Sequence, residues 1–117
     1  MTTPAPTVNL TEGEQAAVRT FLERVRRDYG SLVQDVILFG SKARGDSTPD
    51  SDIDVLIIVS EENWPLRDAI SLLAARISLE YDVLIGPRVI GLARWQRMQR
   101  ERASLYENIV REGISLA

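Results

Sequence analysis

An uninterrupted apolar run from Val55 to Val59 constrains the fold of this chain more than any other feature. The run follows Asp52-Ile53-Asp54, and it is typical of a strand that is covered on both faces. Such a strand needs other elements packed against each side of its sheet. The patterns along the chain read helix, strand, strand, helix, strand and helix. They predict an α/β fold with a small mixed β-sheet of about three core strands flanked by helices.

Cap signals and apolar periodicity place the other elements. Thr11-Glu12-Gly13-Glu14 fits a capping box at the start of a helix with one apolar stripe, and Gly30 is placed to end that helix. Val33 to Phe39 and Tyr81 to Ile85 have the composition of strands, the second closed by Gly86-Pro87. Helical patterns begin at Pro65 and at Leu92, and the latter continues to Glu112 with a break from Arg100 to Ala103.

The length of 117 residues is enough for one domain. Residues 1–10 are rich in proline and threonine and are predicted to be a flexible lead-in, so residues 11–117 form the expected single domain. The longest apolar run is too short to span a membrane, and the N-terminus lacks the basic flank and apolar stretch of a secretion signal. We therefore expect a soluble cytoplasmic protein. Its net charge of -3 gives no overall attraction for nucleic acid.

The chain contains neither cysteine nor histidine. This excludes disulfides, thiolate metal sites and the usual general base, together with the commonest zinc ligand. Any bound metal must be held by oxygen, which favours magnesium, manganese or calcium.

Gly40-Ser41 directly follows the predicted strand that ends at Phe39. Glycine allows the backbone to approach a ligand closely, and amides in such a turn can point at phosphate oxygens. A helix that begins at Ser41 would add a favourable partial charge. A plain turn accounts for the same two residues, because glycine and serine are common after strands.

Asp52 and Asp54 open the predicted central strand. Side chains alternate across a strand, so both carboxylates share one face, roughly 7 Å apart along the chain. At that spacing they repel each other unless a cation lies between them. A solvated strand entrance would also explain two aspartates, but the apolar run that follows places them at the edge of a core.

Asp82 is the candidate for a third carboxylate, because it opens the strand predicted from Tyr81 to Ile85. Glu80 has the same parity and competes for the role. We favour Asp82, since Glu80 ends a helical pattern. Three carboxylates on adjacent strands beside a phosphate-holding turn would suffice for two-metal phosphoryl transfer.

The segment from Gly40-Ser41 through ten residues to Asp52-Ile53-Asp54 resembles the signature of the DNA polymerase beta-like nucleotidyltransferase superfamily. More closely, the chain resembles the minimal, MNT-type branch. This resemblance implies that Gly40 and Ser41 hold the β- and γ-phosphates of a nucleoside triphosphate. It implies that Asp52 and Asp54 bind two Mg²⁺ ions and that Asp82 binds one of them and helps to deprotonate the acceptor hydroxyl. Further phosphate contacts are expected from two exposed loop cations, Lys42 and Arg44.

Members of the minimal branch often pair with HEPN-domain proteins as toxin–antitoxin systems. The resemblance therefore implies an antitoxin that transfers AMP from ATP to a tyrosine of a HEPN-type partner toxin. Two alternatives stay open: nucleotidyl transfer to a small hydroxylated molecule such as an aminoglycoside, and an antitoxin that only binds its partner. The apolar faces of the terminal helices could also serve an interface between copies of the chain.

Overall fold

The computed structural model describes residues 9–48 and 50–116. The helices in these residues are α1 (Glu12–Tyr29), α2 (Ser41–Arg44), α3 (Trp64–Tyr81), α4 (Leu92–Arg100) and α5 (Ser104–Glu112). The strands are β1 (Val33–Phe39), β2 (Ile53–Val59), β3 (Ile85–Gly91) and β4 (Ile114–Ser115). Most of the predicted flexible lead-in, residues 1–8, lies outside the described residues. Leu10 is buried in the core, so the packed part of the chain already includes this residue.

The strands form one mixed sheet in the order β3-β2-β1-β4. Strand β2 pairs antiparallel with β1 and parallel with β3, while β4 pairs antiparallel with β1. The predicted mixed α/β sheet is confirmed, and the short strand β4 is an addition to it. Because of these directions, the carboxyl end of β1 and the amino ends of β2 and β3 lie at the same end of the sheet.

Both faces of β2 are covered, as its sequence predicts. One core contains the alternate residues Ile53, Val55, Ile57 and Val59 together with the buried stripes of α1 and α3. The residues between them, Leu56 and Ile58, pack with Ile109 of α5 and with side chains of α4. Asp54 shares this second face by alternation, but it lies beyond the helices, at the end of the strand.

The helices begin and end where local hydrogen bonds satisfy their terminal amides. Thr11 accepts a bond from the Glu14 amide at 3.1 Å, and the Glu14 carboxylate accepts one from the Thr11 amide at 2.9 Å, which confirms the capping box. The Asn63 side chain caps α3 by accepting from the Leu66 amide at 2.7 Å. The predicted break in the C-terminal helix is also confirmed, because α4 ends at Arg100 and α5 begins at Ser104.

The predicted strand from Tyr81 to Ile85 is wrong. Tyr81 is the last residue of α3, and Asp82 follows it in the left-handed conformation with φ 55°, its amide donating to the Ser78 carbonyl. Strand β3 starts at Ile85, and the dipeptide predicted to end it lies inside it. Proline is tolerated there because β3 is at the edge of the sheet. The aromatic and apolar composition of the segment does not reveal that the helix continues through Tyr81.

Candidate active site

At the end of the sheet where β1 finishes and β2 and β3 begin, three parts of the sequence come together. Phe39, the last residue of β1, pairs with Asp54, and Asp54 pairs on its other side with Gly86 of β3. Gly40 follows Phe39 directly and begins the next turn. The predicted phosphate-binding turn and the predicted metal-binding pair are therefore neighbours in space.

Gly40 has the backbone conformation that the turn requires. Its φ of 77° is in the region that favours glycine, and a side chain here would overlap the Asp54 carboxylate. Helix α2 begins at Ser41, and the Gly40 carbonyl accepts from the Ala43 and Arg44 amides, both at 3.1 Å. The amides of the first helical residues, Ser41 and Lys42, have no partner within the helix by geometry. The turn thus presents backbone donors next to the carboxylates.

Asp52 and Asp54 converge on the space above Gly86. A Cβ atom placed on Gly86 would lie 3.6 Å from Asp54 Oδ1 and 3.8 Å from Asp52 Oδ2. Asp52 is exposed and Asp54 is half-buried. Burial raises the pKa of Asp54, and the neighbouring Asp52 charge raises it further, while Arg88 and Arg44 oppose the rise. Two carboxylates thus face one small space, and their charges repel.

This arrangement fits a hard divalent cation. Magnesium prefers oxygen ligands and is usually bound by one or two carboxylates plus substrate phosphates. The oxygens that point over Gly86 come from two such carboxylates, and the missing side chain at that position leaves room between them. Within residues 9–48 and 50–116 there is no group of three acidic side chains placed to hold a metal. The remaining ligands of any bound ion would have to come from the nucleotide and water.

Asp82 does not join the pair, so the prediction of a third carboxylate at this residue is corrected. As the C-cap of α3, Asp82 is exposed and lines a separate cleft of about 1210 Å³ between α3, the loop before β2 and the start of β3. Glu80, the alternative candidate, is exposed on α3. The residue that pairs with Asp54 on β3 is Gly86, which has no side chain to offer.

Lys42 is not an exposed loop cation as predicted. Its side chain is only 4% exposed, and Nζ lies 2.7 Å from Glu14 Oε2. Nζ also donates to the Thr48 carbonyl at 3.4 Å. Glu14 belongs to the capping box of α1, so this buried ion pair joins α1 to the segment that carries the Gly40-Ser41 turn. Lys42 is therefore a positioning residue for the turn rather than a solvated phosphate contact.

Arg44 is the more accessible cation of the turn. Its guanidinium contacts Asp46 Oδ2 at 3.1 Å and Glu112 Oε2 at 3.0 Å, and its side chain is 43% exposed. The contact with Glu112 joins the turn to the end of α5. The Arg44 charge also acts to lower the pKa of Asp54, which places it within electrostatic reach of the carboxylate pair.

Arg88 of β3 is a site residue that the sequence pattern does not reveal. It is exposed, pairs with Leu56, and lies two residues beyond Gly86 on the same face of the sheet as Asp54. Its charge opposes the rise in the pKa of Asp54 more than that of Arg44 does. The role of Arg88 is visible only when the pairing of β3 with β2 is known. The sequence pattern places the start of β3 too early, so it does not give that pairing.

A profile of the family described as “Nucleotidyltransferase domain” matches residues 18–114 of the chain. The chain belongs to the nucleotidyltransferase domain family. The match spans both the Gly40-Ser41 turn and the two aspartates, so the resemblance of the sequence to minimal nucleotidyltransferases is confirmed, and the protein is an enzyme of this class.

Two relatives of this nucleotidyltransferase come from Methanocaldococcus jannaschii, and each is named “Putative protein adenylyltransferase”. One is 42% identical over 71 residues, which are 56% of this chain and 72% of the relative. The other is 31% identical over 100 residues, which are 86% of this chain and 94% of the relative.

Solved structures share the fold of this nucleotidyltransferase. One described as “Structure of putative minimal nucleotidyltransferase” superposes with a TM-score of 0.55 at 25% identity, covering 92% of this chain and 98% of that one. A crystal structure of a toxin–antitoxin with AMP-PNP gives a TM-score of 0.55 at 22% identity, covering 84% and 71%. A mutant of the toxin–antitoxin MntA-HpeT gives 0.54 at 22% identity, covering 85% and 71%. None of the described helices is long and apolar enough to cross a bilayer.

Proposed function

We propose that this nucleotidyltransferase is an antitoxin that transfers AMP from ATP to a tyrosine of a HEPN-type partner toxin in the cytoplasm, in a reaction that depends on Mg²⁺. The observation that carries the proposal is the convergence of Asp52 and Asp54 over Gly86, beside the Gly40-Ser41 turn. The two relatives described above are each named “Putative protein adenylyltransferase”, which supports a protein acceptor. The toxin–antitoxin structures with the same fold support a toxin as that protein.

In this proposal the residues divide the nucleotide between them. The amides at the start of α2 and the Ser41 hydroxyl hold the β- and γ-phosphates, and Arg44 adds a charge to the same side. Asp52 and Asp54 would hold the two Mg²⁺ ions that the resemblance implies, and the bound cations would neutralise charge on the phosphates. Lys42 and Glu14 keep the turn in place through their buried ion pair.

The reaction itself is an in-line displacement. The acceptor oxygen forms a bond to the α-phosphorus while the bond from that phosphorus to the oxygen bridging to the β-phosphate breaks. Pyrophosphate leaves, and the proton of the acceptor hydroxyl passes to solvent. The protein positions the nucleotide and the acceptor and stabilises the charge that develops on the phosphates, because this chemistry requires little else from its side chains.

Intact-mass spectrometry tests the proposal. The purified protein is incubated with ATP, MgCl₂ and the protein encoded beside it, and fragmentation maps any modified residue. We expect the partner to gain adenylyl groups on tyrosine, with none gained when EDTA replaces MgCl₂. Asp52→Asn is the matched variant, because it removes one charge with little change of shape at an exposed position.

A growth assay with the partner toxin separates the catalytic proposal from an antitoxin that only binds. We expect Asp52→Asn to form the complex yet fail to relieve toxicity. If the variant protects cells as well as the wild type does, the antitoxin acts by binding and the catalytic proposal is wrong. If AMP appears only on a small hydroxylated compound, the protein acceptor is wrong.

A further inference from the structure

Arg88 differs from the other cations near the site in having no acidic partner among the described residues. Lys42 is paired with Glu14, and Arg44 with Asp46 and Glu112. In the part of the chain that the structure describes, no carboxylate lies within ion-pair distance of the Arg88 guanidinium. An exposed arginine without a partner has its planar set of donors available for a ligand.

The position of Arg88 on the sheet places it on the same face as the carboxylate pair, one side-chain position along β3 from Gly86. Strand register places Gly86 opposite Asp54 and Arg88 opposite Leu56, so Arg88 and both aspartates project from the same face. Gly86, which is next to Asp54 in the register and two residues before Arg88, has no side chain to fill the space that the aspartates face. The opposing effect of Arg88 on the pKa of Asp54 agrees with this placement.

The order of groups along the sheet edge gives the nucleotide a direction. The Gly40-Ser41 turn follows β1, the two aspartates open β2, and Gly86 and Arg88 belong to β3. If the turn binds the β- and γ-phosphates, as the proposed function requires, the triphosphate extends from the turn past Asp52 and Asp54 toward β3. The α-phosphate, which is the group to be transferred, then arrives on the side of Arg88.

We propose that Arg88 binds the α-phosphate of the nucleotide. Arg88 belongs to the edge strand β3, so it would contact the adenylyl group on the side away from the Gly40-Ser41 turn, which follows β1. This inference rests on the proposed function, because it takes its orientation from the turn. Negative charge on the transferred phosphoryl group is spread over its outer oxygens, and a guanidinium can contact two of them at once.

Equilibrium binding without any acceptor tests the inference. Isothermal titration calorimetry in MgCl₂ compares AMP-PNP with inorganic pyrophosphate for the wild type, Arg88→Met, Arg88→Lys and the control Arg76→Met. Arg76 is an exposed arginine on α3, away from the site. We expect Arg88→Met to weaken AMP-PNP by about tenfold, the scale of one charge-assisted contact at an exposed position, with Arg88→Lys partly restoring it.

Pyrophosphate identifies which phosphate Arg88 contacts, since it can occupy the turn without reaching β3. We expect its affinity to be the same in Arg88→Met and in wild type. Equal weakening of pyrophosphate and AMP-PNP would mean that Arg88 acts only through its general field, and unchanged AMP-PNP affinity would mean no contact; either result overturns the inference. Failure of the wild type itself to bind AMP-PNP would instead refute the proposed function.

Discussion

Replacing Gly86 by aspartate tests the convergence of Asp52 and Asp54 directly. A Cβ atom at Gly86 lies in ordinary van der Waals contact with both carboxylates, at 3.6 and 3.8 Å, so a methyl group fits there and the carboxylate of an aspartate would start from beside the other two. Gly86→Ala is the matched control, because it adds the same atom without charge. Alanine also restricts the unfolded chain, so we expect this control to be at least as stable as the wild type.

The expected cost follows from Coulomb's law. Two like charges about 4 Å apart repel by about 1 kcal/mol in water, and the new carboxylate faces two others, giving about 2 kcal/mol at low ionic strength. Salt reduces this amount because the site is open to solvent. For a domain of this size, 2 kcal/mol corresponds to a Tm about 8 °C lower than that of Gly86→Ala. Bound Mg²⁺ should reverse the order, since a third acidic ligand strengthens oxygen coordination.

Thermal unfolding of the three proteins in EDTA and in MgCl₂ measures both effects. We expect Gly86→Asp to have the lowest Tm in EDTA and the largest rise in Tm on addition of MgCl₂. The deficit should shrink as the pH falls, because protonation of Asp54, whose pKa is raised by burial and by the Asp52 charge, removes part of the repulsion. If Gly86→Asp and Gly86→Ala unfold at the same temperature in EDTA and respond equally to MgCl₂, the carboxylates do not converge over Gly86, and the metal site is wrongly placed.

Three further predictions follow from the contacts around the turn. Burial, and then the Asp52 charge, raise the pKa of Asp54 above its unfolded value, so the ionisation of Asp54 penalises folding once the pH has risen through that range. At a pH above that range, Asp54→Asn should therefore raise the Tm in EDTA and abolish the Mg²⁺ response. A lower Tm for this variant would contradict the prediction. Lys42→Met breaks the buried ion pair and should lower the free energy of unfolding, measured with urea, by about 3–5 kcal/mol. Adding Glu14→Gln should recover part of that loss, because it removes the unpaired buried charge. If the losses of the two single variants simply add in the double variant, the two side chains do not interact. Gly40→Ala should weaken AMP-PNP binding in calorimetry, because φ 77° and the overlap with Asp54 force the turn to move, and unchanged affinity would exclude the turn from the nucleotide site.

The sequence predicts most of the fold because its strongest signals are local. The capping box of Thr11 and Glu14 needs only four residues, and the double-sided burial of β2 is already visible in its apolar run. The start of β3 is missed because Tyr81, which ends α3, and the apolar residues Val83 and Leu84, which follow it, have the composition of a strand. A left-handed residue at Asp82 ends the helix there, and that conformation cannot be read from residue type.

The part of the site that the sequence predicts is also the part that depends on local signals. The turn and the aspartate pair lie within fifteen residues of sequence, so their relation depends on one strand register. The burial of Lys42 depends on Glu14 of a distant helix, and the role of Arg88 depends on the pairing of β3. Neither contact is periodic or local, so no pattern in the sequence indicates it. A shift of a few residues in the start of β3 is therefore enough to predict Asp82 at the position where the structure has Gly86.

A glycine where a third acid was expected changes what the site requires from its ligand. Two carboxylates that face each other across an open space destabilise the empty protein, and a bound cation with its nucleotide removes that repulsion. Ligand binding and fold stability are then coupled, and the stability gained grows with ligand concentration above the Kd. The ligand must also complete the coordination of the cation, because the protein offers too few acidic groups within the part of the chain that is described. A metal without nucleotide should therefore stabilise this protein much less than the two together, and an equal rise in Tm with MgCl₂ alone would show that the aspartates hold the cation unaided.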